Sequence, residues 1–274
     1  MQTGMALARE IETLNVPQGG LAFWWLGQMG YVVKVWAGGS PRILYLDPYL
    51  APAAARQVPP LLAPEQVTHA DYLLGTHDHG DHIDPTAIPG IVAASPGCRV
   101  ITSRVARRHV LTLGVPPARA IGLDDGLSHE EDGLRITAVA AAHEFLDRDE
   151  ALGYPYLSYV VEADGVALFH AGDTLRYEGQ LARLARWQFD VAFLPINGRD
   201  AERYARNCIG NMTYQEAVDM AGSLRPRLTV PGHYDMFANN AADPAAFAAY
   251  QEVKYPGLPY WIGEHGTAVT LAPR

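Results

Sequence analysis

The chain has 274 residues, of which 49% are hydrophobic and 19% are charged. That composition is typical of a globular protein with a sizeable core, and it excludes an intrinsically disordered chain. The formal net charge of −9 disfavours nucleic acid as a partner, because an acidic surface weakens non-specific attraction to phosphate backbones. The sequence contains no run of about 18 apolar residues, so we expect no membrane span.

The first third of the chain predicts β structure. Two apolar and aromatic segments, residues 21–27 and 31–37, flank a Gln-Met-Gly turn and predict a hairpin. A third strand is predicted over residues 42–46, where it stops at an Asp-Pro pair, and a short apolar run covers residues 71–75. Between them, the Ala- and Pro-rich stretch 51–64 predicts a surface loop.

Helices are predicted where capping residues flank apolar periodic segments. The segment 103–114 begins with a serine suited to the N-cap and ends with a glycine, and the segment 179–188 is amphipathic. Thr213 and Glu216 form a capping box, and the Asp-Pro pair at 243–244 marks another helix start. The rest of the second half predicts strands within residues 134–144, 156–164, 165–173, 189–196 and 227–235.

The chain shows no low-complexity tract and no interdomain linker, which predicts one domain over residues 1–274. The first 20 residues lack an apolar segment flanked by basic residues, so we expect no signal peptide. Cys98 and Cys208 have no CxxC spacing and are expected to be reduced thiols rather than a disulfide. We therefore expect a cytoplasmic protein.

The stretch GTHDHGDHID, residues 75–84, contains three histidines and three aspartates. Imidazole and carboxylate ligands together suit Zn, Mn, Fe or Co. In an extended loop, residues i and i+2 project to the same side, so His77 and His79 can share one ion. If the chain turns at the glycine that follows, Asp81 and His82 can face a second ion. The spacing therefore favours two neighbouring metal ions.

Two ions need more ligands than this stretch supplies, and further candidates follow the predicted strands. His143, Asp173 and His233 each come just after a strand, and side chains at strand ends converge at one edge of a sheet. His143 can complete the first site, Asp173 can bridge both ions, and His233 can close the second site. Ions roughly 3.5–4 Å apart can hold a bridging hydroxide, which Asp81 can orient before it carries the proton to the leaving group.

These motifs, in this order, resemble the metallo-β-lactamase superfamily. The HxHxDH motif at 77–82, the later His143, the HAGDT segment at 170–174 and the PGHYD segment at 231–235 match the motif series of that family. The resemblance implies an α/β fold, a four-layer αββα sandwich with the metals at one edge. It also implies that Asp47 is a supporting residue near the site.

Five segments, FWWLGQMG, THDHGDHID, HAGDT, NMT and HYDMFANNAADP, resemble the branch of that superfamily that includes L-ascorbate-6-phosphate lactonase. This resemblance implies hydrolysis of a sugar-acid lactone, with or without a phosphate group, and two divalent ions, Mn or Zn. It is also compatible with a homo-oligomer. Arg206 matches an arginine of the branch, and its guanidinium could grip a phosphate or carboxylate of the substrate. The loop 51–64 and the segment after His143 differ from the branch, so the substrate stays open.

Two other functions fit the same ligand pattern. A phosphodiesterase would use the same ions, although the acidic charge and the lack of a basic stripe disfavour nucleic-acid substrates. A metal-binding or ligand-sensing protein without turnover is disfavoured because all the presumed ligands are present. His170 is expected to be buried or to support a ligand, and His265 to lie in a turn. Arg199 is a weaker candidate for anchoring a small-molecule substrate, and Asn197 and Tyr234 could donate hydrogen bonds to its developing oxyanion.

Overall fold

The computed structural model describes residues 2–274 as two β-sheets flanked by helices. The strands are Leu21–Gly27 (β1), Gly30–Ala37 (β2), Ser40–Leu46 (β3), Tyr72–Leu74 (β4), Arg99–Ser103 (β5), Ala120–Leu123 (β6), Ser128–Glu131 (β7), Leu134–Ala140 (β8), Leu157–Ala163 (β9), Val166–His170 (β10), Val191–Pro195 (β11), Leu228–Gly232 (β12) and Val269–Leu271 (β13). The α-helices are Gly4–Thr13 (α1), Ala87–Ala94 (α2), Arg107–Thr112 (α3), Gln180–Leu184 (α4), Ala201–Ala205 (α5), Tyr214–Leu224 (α6) and Pro244–Lys254 (α7), and Pro64–Gln66 is a 3₁₀ turn.

The two sheets divide the chain nearly in sequence order. The first sheet has seven strands in the order β13-β1-β2-β3-β4-β5-β6, and the second has six in the order β12-β11-β10-β9-β8-β7. In the first sheet, β3, β4, β5 and β6 are mutually parallel. In the second sheet, β10, β11 and β12 are parallel, and β8 runs the same way because β9 is antiparallel to both β8 and β10.

Alternate residues of β1 explain why the sheets and helices form layers, since successive side chains in a strand point to opposite faces. Phe23 and Trp25 belong to the core between the sheets, and the ring of Phe23 packs edge-on against Phe193 of the second sheet. Trp24 and Leu26 belong to a second core that includes the buried residues of α1, α2 and α3. Helix α6 packs on β11 of the second sheet, and α7 packs on α6 and adds Phe247 to the same core. The predicted αββα sandwich is confirmed.

Several predictions about local structure are confirmed. The segments 21–27 and 31–37 pair as an antiparallel hairpin. Thr213 Oγ1 accepts from the Glu216 amide while the Glu216 carboxylate accepts from the Thr213 amide, so the capping box is reciprocal. Asp243 caps α7 by accepting a hydrogen bond from the Ala245 amide. Helices α6 and α7 therefore both begin where a side chain satisfies a free backbone N–H group.

The helix predicted over 103–114 is shorter than expected. Ser103 is the last residue of β5, and its hydroxyl accepts from the Ala106 amide in a turn, so α3 begins only at Arg107. Parallel pairing of β5 with β6 holds Ser103 in the sheet, which overrides its local preference for a helix cap. The helix predicted over 179–188 is likewise reduced to the five residues of α4.

Other local features differ from, or add to, the sequence expectations. The loop 51–64 is mostly at the surface, but Leu61 and Leu62 are buried in the core beneath α1. Helix α1 itself was not among the predicted elements, although its Leu7 and Ile11 are fully buried. No helix in residues 2–274 combines the length and apolar character needed to cross a membrane.

Candidate metal centre

Strand direction brings the candidate ligands to one place. β8, β10 and β12 point the same way, so His143, Asp173 and His233 follow them at one edge of the second sheet. The loop that starts at His77 follows β4 of the facing sheet, and the Leu157 amide donates to the Thr76 carbonyl, which joins the two sheets there. These side chains form three overlapping groups, and within each group the potential ligand atoms lie within 4.8 Å of one another. The groups are His77 with His79 and His143, His77 with His82 and Asp173, and Asp81 with His82 and His233.

Asp173 lies at the centre of the cluster. One of its carboxylate oxygens is 3.0 Å from His233 Nε2 and 3.7 Å from His143 Nε2, and the other is 3.4 Å from His82 Nε2. We call His77, His79 and His143 the first half of the cluster, and Asp81, His82 and His233 the second half. The Asp173 carboxylate therefore reaches histidines of both halves. The side chain of Asp173 is only 5% exposed, whereas that of Asp81 is 21% exposed. Asp81 and His79 are the partly exposed members of the cluster, so solvent reaches it at those two side chains.

The loop from His79 to Ile83 makes the turn that the HxHxDH spacing predicts, but the turn does not depend on the glycine at position 80. The His82 and Ile83 amides both donate to the His79 carbonyl, which closes a tight turn. Gly80 has no positive φ, and a Cβ there would meet no atom within 4 Å. Glycine is therefore not required by the backbone at this turn, and the helix that follows begins only at Ala87.

Asp47 holds the far side of His82. Its carboxylate accepts from His82 Nδ1 at 2.8 Å, from His170 Nε2 at 2.9 Å, and from the amide and hydroxyl of Thr76 at 2.8 Å each. Burial alone would raise the pKa of Asp47, but His82 and His170 together lower it to about 2. This contact fixes which ring nitrogen of His82 faces the cluster, the usual task of a carboxylate behind a metal-binding histidine.

The histidines of the cluster differ in the protonation state that their surroundings favour. Burial lowers the pKa of His77 well below its usual value, lowers that of His79, and lowers that of His143 to about 4. Burial opposes the charge on His82 too, but the carboxylates of Asp173 and Asp47 outweigh it and raise the pKa of His82. Without a metal, the imidazoles of His77, His79 and His143 are thus neutral, whereas that of His82 prefers to be protonated.

Two buried atoms indicate that the cluster fits a cation. Within residues 2–274, His82 Nε2 and Asp173 Oδ1 are buried and have no hydrogen-bond partner, and burying polar atoms unpaired costs free energy. Both face the same cluster, 3.4 Å apart. A set of imidazole nitrogens with carboxylate oxygens suits Zn, Mn, Fe or Co. The seven candidate residues could therefore hold metal ions of this class.

A cavity of about 260 Å³ lies next to the segment that carries His143. Glu144, which directly follows His143, lines it with an unusual φ of +73°. Cys208 lies in the same wall, and burial raises the pKa of its thiol. The negative charges of Asp173 and Asp81 raise that pKa further, so the cavity wall feels the charges of the cluster. The lining residues are Glu144, Arg199, Asp200, Ala201, Tyr204, Cys208 and Gly210.

The arginines near the cavity differ in how firmly they are held. Both terminal nitrogens of Arg199 donate to Glu216, at 2.6 and 2.8 Å, and one also donates to the Asn211 carbonyl. The side chain of Arg206 is 61% exposed, and its one ion-pair partner in the described part of the chain is Glu202, which lies one helical turn away and is 79% exposed. The structure does not bring Arg206 into the ligand cluster, but it leaves the guanidinium accessible.

Other residues singled out by the sequence make contacts outside the group of candidate ligands. His170, the last residue of β10, is fully buried and bonded to Asp47, as expected from its place directly before the AGD segment. His265 does more than occupy a turn, because it stacks on Trp25 at 4.1 Å and bonds to Asp235 at 2.5 Å. Asn197 bonds to Asn240 and Asn211 rather than pointing at the cluster.

Sequence reasoning missed two residues of the site. Tyr156 packs against the rings of His77 and His143, with centroids 5.6 and 5.4 Å away. Gln28, at the turn of the β1–β2 hairpin, donates from Nε2 to Asp81 Oδ2 at 2.8 Å. Neither residue belongs to a spacing pattern that predicts metal ligands, so only the fold reveals them.

Comparisons with known proteins agree with this architecture. Residues 42–234 match the family model described as the beta-lactamase superfamily domain. The chain is 34% identical to a metal-dependent hydrolase of Thermococcus onnurineus (strain NA1) over 76% of this chain and 84% of that one. It is 27% identical to a probable L-ascorbate-6-phosphate lactonase of Salmonella choleraesuis (strain SC-B67), over 94% and 81% of the two chains.

A solved structure adds support for the fold. The metallo hydrolase Igni18 of Ignicoccus hospitalis KIN4/I superposes with a TM-score of 0.70 at 23% identity, over 92% of this chain and 98% of that one. The family-model match covers more than half of the 274 residues. With its αββα layers and its histidine–aspartate cluster at the sheet edge, the chain belongs to the metallo-β-lactamase superfamily, among its metal-dependent hydrolases.

Proposed function

We propose that the protein is a lactonase that hydrolyses a cyclic ester of a sugar-derived acid with the help of two divalent ions, Mn or Zn. The observation that supports two ions best is the reach of Asp173, whose carboxylate approaches histidines of both halves of the cluster within 3.7 Å. When bound, such ions polarise a carbonyl and lower the pKa of water to about 7. His77, His79 and His143 would hold one ion, and Asp81, His82 and His233 the other.

Asp81 is the proposed proton carrier. Its carboxylate lies at the solvent-accessible side of the cluster and is 21% exposed, so a substrate can reach it. Asp81 would orient the attacking water and accept one of its protons as the water oxygen bonds to the ester carbonyl carbon. It would then deliver that proton to the ring oxygen as the carbon–oxygen bond breaks. Lactone and water thus give one hydroxy acid.

The adjacent cavity is the proposed place for the rest of the substrate. At about 260 Å³ it could take part of a sugar-sized molecule, since ligand pockets hold about 300–1,000 Å³. Arg206 is the proposed anchor for a carboxylate or phosphate on that molecule. An exposed i,i+4 pair such as Arg206–Glu202 is worth about 0.3–0.5 kcal/mol, so an anionic substrate could displace Glu202. The bidentate contact of Arg199 with Glu216 makes that arginine a poorer anchor.

The test is a hydrolysis screen on purified protein freed of metal and then reloaded with Mn or Zn. The panel contains sugar-acid lactones with and without a phosphate, simple lactones, and bis-p-nitrophenyl phosphate. The proposal expects turnover of a lactone that a chelator abolishes and added metal restores. Turnover of the phosphodiester alone would replace the proposal with a phosphodiesterase, and metal binding without any turnover would indicate a binding protein.

A further inference from the structure

Gln28 reaches the second half of the metal cluster from a distant part of the chain. It lies between β1 and β2, and the whole residue is buried. Its Nε2 is 2.8 Å from Asp81 Oδ2 and 3.1 Å from His233 Nε2. Among residues 2–274, this amide is the one hydrogen-bond donor that the structure gives the Asp81 carboxylate. The side chain thus bonds to one candidate ligand, Asp81, and lies against the ring nitrogen of another, His233.

The backbone at Gln28 is held firmly in an unfavourable conformation. Its φ is +54°, a region that residues other than glycine rarely adopt. Its amide donates to Asp235 Oδ1 at 3.0 Å, while its carbonyl accepts from Trp25 Nε1 at 3.1 Å and from the His233 amide at 3.0 Å. Strained residues persist only where the surroundings over-determine them, and they cluster at functional sites. The strain here places one side chain in the cluster.

The carboxamide oxygen supplies an independent observation. Gln28 Oε1 is buried and has no hydrogen-bond partner in the described chain. A buried carbonyl without a partner costs free energy unless a cation or a water provides one. Because Nε2 of the same carboxamide contacts Asp81 and His233, the unpaired oxygen lies beside the group that would hold a cation.

We propose that Gln28 is a positioning residue for the second ion, acting through Asp81. The inference rests on the metal site of the proposed function and adds a residue to it. The amide N–H group fixes one oxygen of Asp81, which leaves the other free for the proton transfer. Without Gln28, the Asp81 carboxylate is free to rotate toward solvent, and the second group of ligands loses its alignment.

The test compares Gln28→Ala with Gln251→Ala in the full chain. Gln251 is a matched control, since it is also buried with an unpaired Oε1, but it lies on α7 and bonds to the Leu258 carbonyl. Isothermal titration of metal-free protein with Mn or Zn measures the affinity for each ion. We expect Gln28→Ala to weaken the second ion about 10- to 100-fold while the first is unchanged, as for other residues that orient metal ligands. Gln251→Ala should bind both ions as the wild type does.

A second variant guards against loss of folding. Gln28→Leu keeps the side-chain volume without polar atoms, and it should show the same selective loss if Gln28→Ala does not fold. Equal affinity of the wild type and the folded Gln28 variants for both ions would overturn this inference alone. Failure of the wild type to bind any metal would instead overturn the proposed function, and the inference with it.

Discussion

His82 Nδ1 donates to Asp47 Oδ2 at 2.8 Å, and both side chains are fully buried. The two residues are 35 positions apart, and β3 and the loop after β4 bring them together. Because Nδ1 is engaged, only Nε2 of His82 faces Asp173. A hydrogen bond behind the site therefore decides which atom is offered to a metal.

Replacing Asp47 should damage both stability and metal binding. In Asp47→Asn, an amide nitrogen would face donors from Thr76, His82 and His170, leaving them unsatisfied. Breaking such a buried network costs about 3–5 kcal/mol. Metal affinity should fall about 10- to 100-fold. Denaturant unfolding and metal titration measure the two effects.

Asp190→Asn is the matched control for that experiment. Asp190 is also buried and bonds to Arg227 and Arg274, away from the cluster. It should lose stability but keep the wild-type metal affinity. An Asp47 variant that behaves like this control would show that Asp47 does not orient His82 for a metal.

Metal binding should release protons near neutral pH, chiefly at the second ion. The raised pKa values of His82 and His233 mean that both prefer the protonated state in the metal-free protein, and a metal must displace those protons. The lowered pKa values of His77 and His143 leave the first group neutral and ready to bind. Affinity for the second ion should therefore rise with pH. Calorimetry in buffers of different ionisation enthalpy counts the protons, and uptake without proton release would contradict the assignment.

Asp81→Asn should lower kcat while leaving an oxygen for metal contact. A positioned general acid–base contributes about 10²- to 10⁴-fold, so we expect a loss in that range. Asp78→Asn is the control, because Asp78 lies in the same loop but is exposed and contacts His109 instead. Its activity should stay close to that of the wild type. If Asp81→Asn kept full kcat, a different group would have to move the proton.

Arg206→Gln should affect substrates that carry an anionic group. We expect KM for a phosphorylated lactone to rise about tenfold, roughly 1.4 kcal/mol, with kcat nearly unchanged, since anchoring is uniform binding. Arg135→Gln is the control. Arg135 forms a similar exposed ion pair with Glu130, and it lies at the start of β8, the end of the strand away from His143. An unchanged KM for the phosphorylated lactone would remove Arg206 from the proposed site.

The convergence of the candidate ligands was predictable because these residues carry local signals. His77–His82 have a spacing that suits two ions, and His143, Asp173 and His233 follow apolar strands whose ends must meet. The start of α3 was not predictable, because pairing of β5 with β6 keeps Ser103 in the sheet. Gln28 was not predictable either, since a glutamine in a hairpin turn gives no hint that it will meet Asp81, 53 residues away.

The central claim is that the histidine–aspartate cluster around Asp173 holds metal ions that drive hydrolysis. Elemental analysis of Asp173→Ala beside the wild type tests it most directly. After loading with Mn or Zn and removal of free metal, the wild type should retain about two ions per chain. Asp173→Ala should lose most of that metal and its lactone turnover together, because Asp173 contacts histidines of both halves of the cluster. An Asp173→Ala protein that retained the wild-type metal content and turnover would contradict the claim.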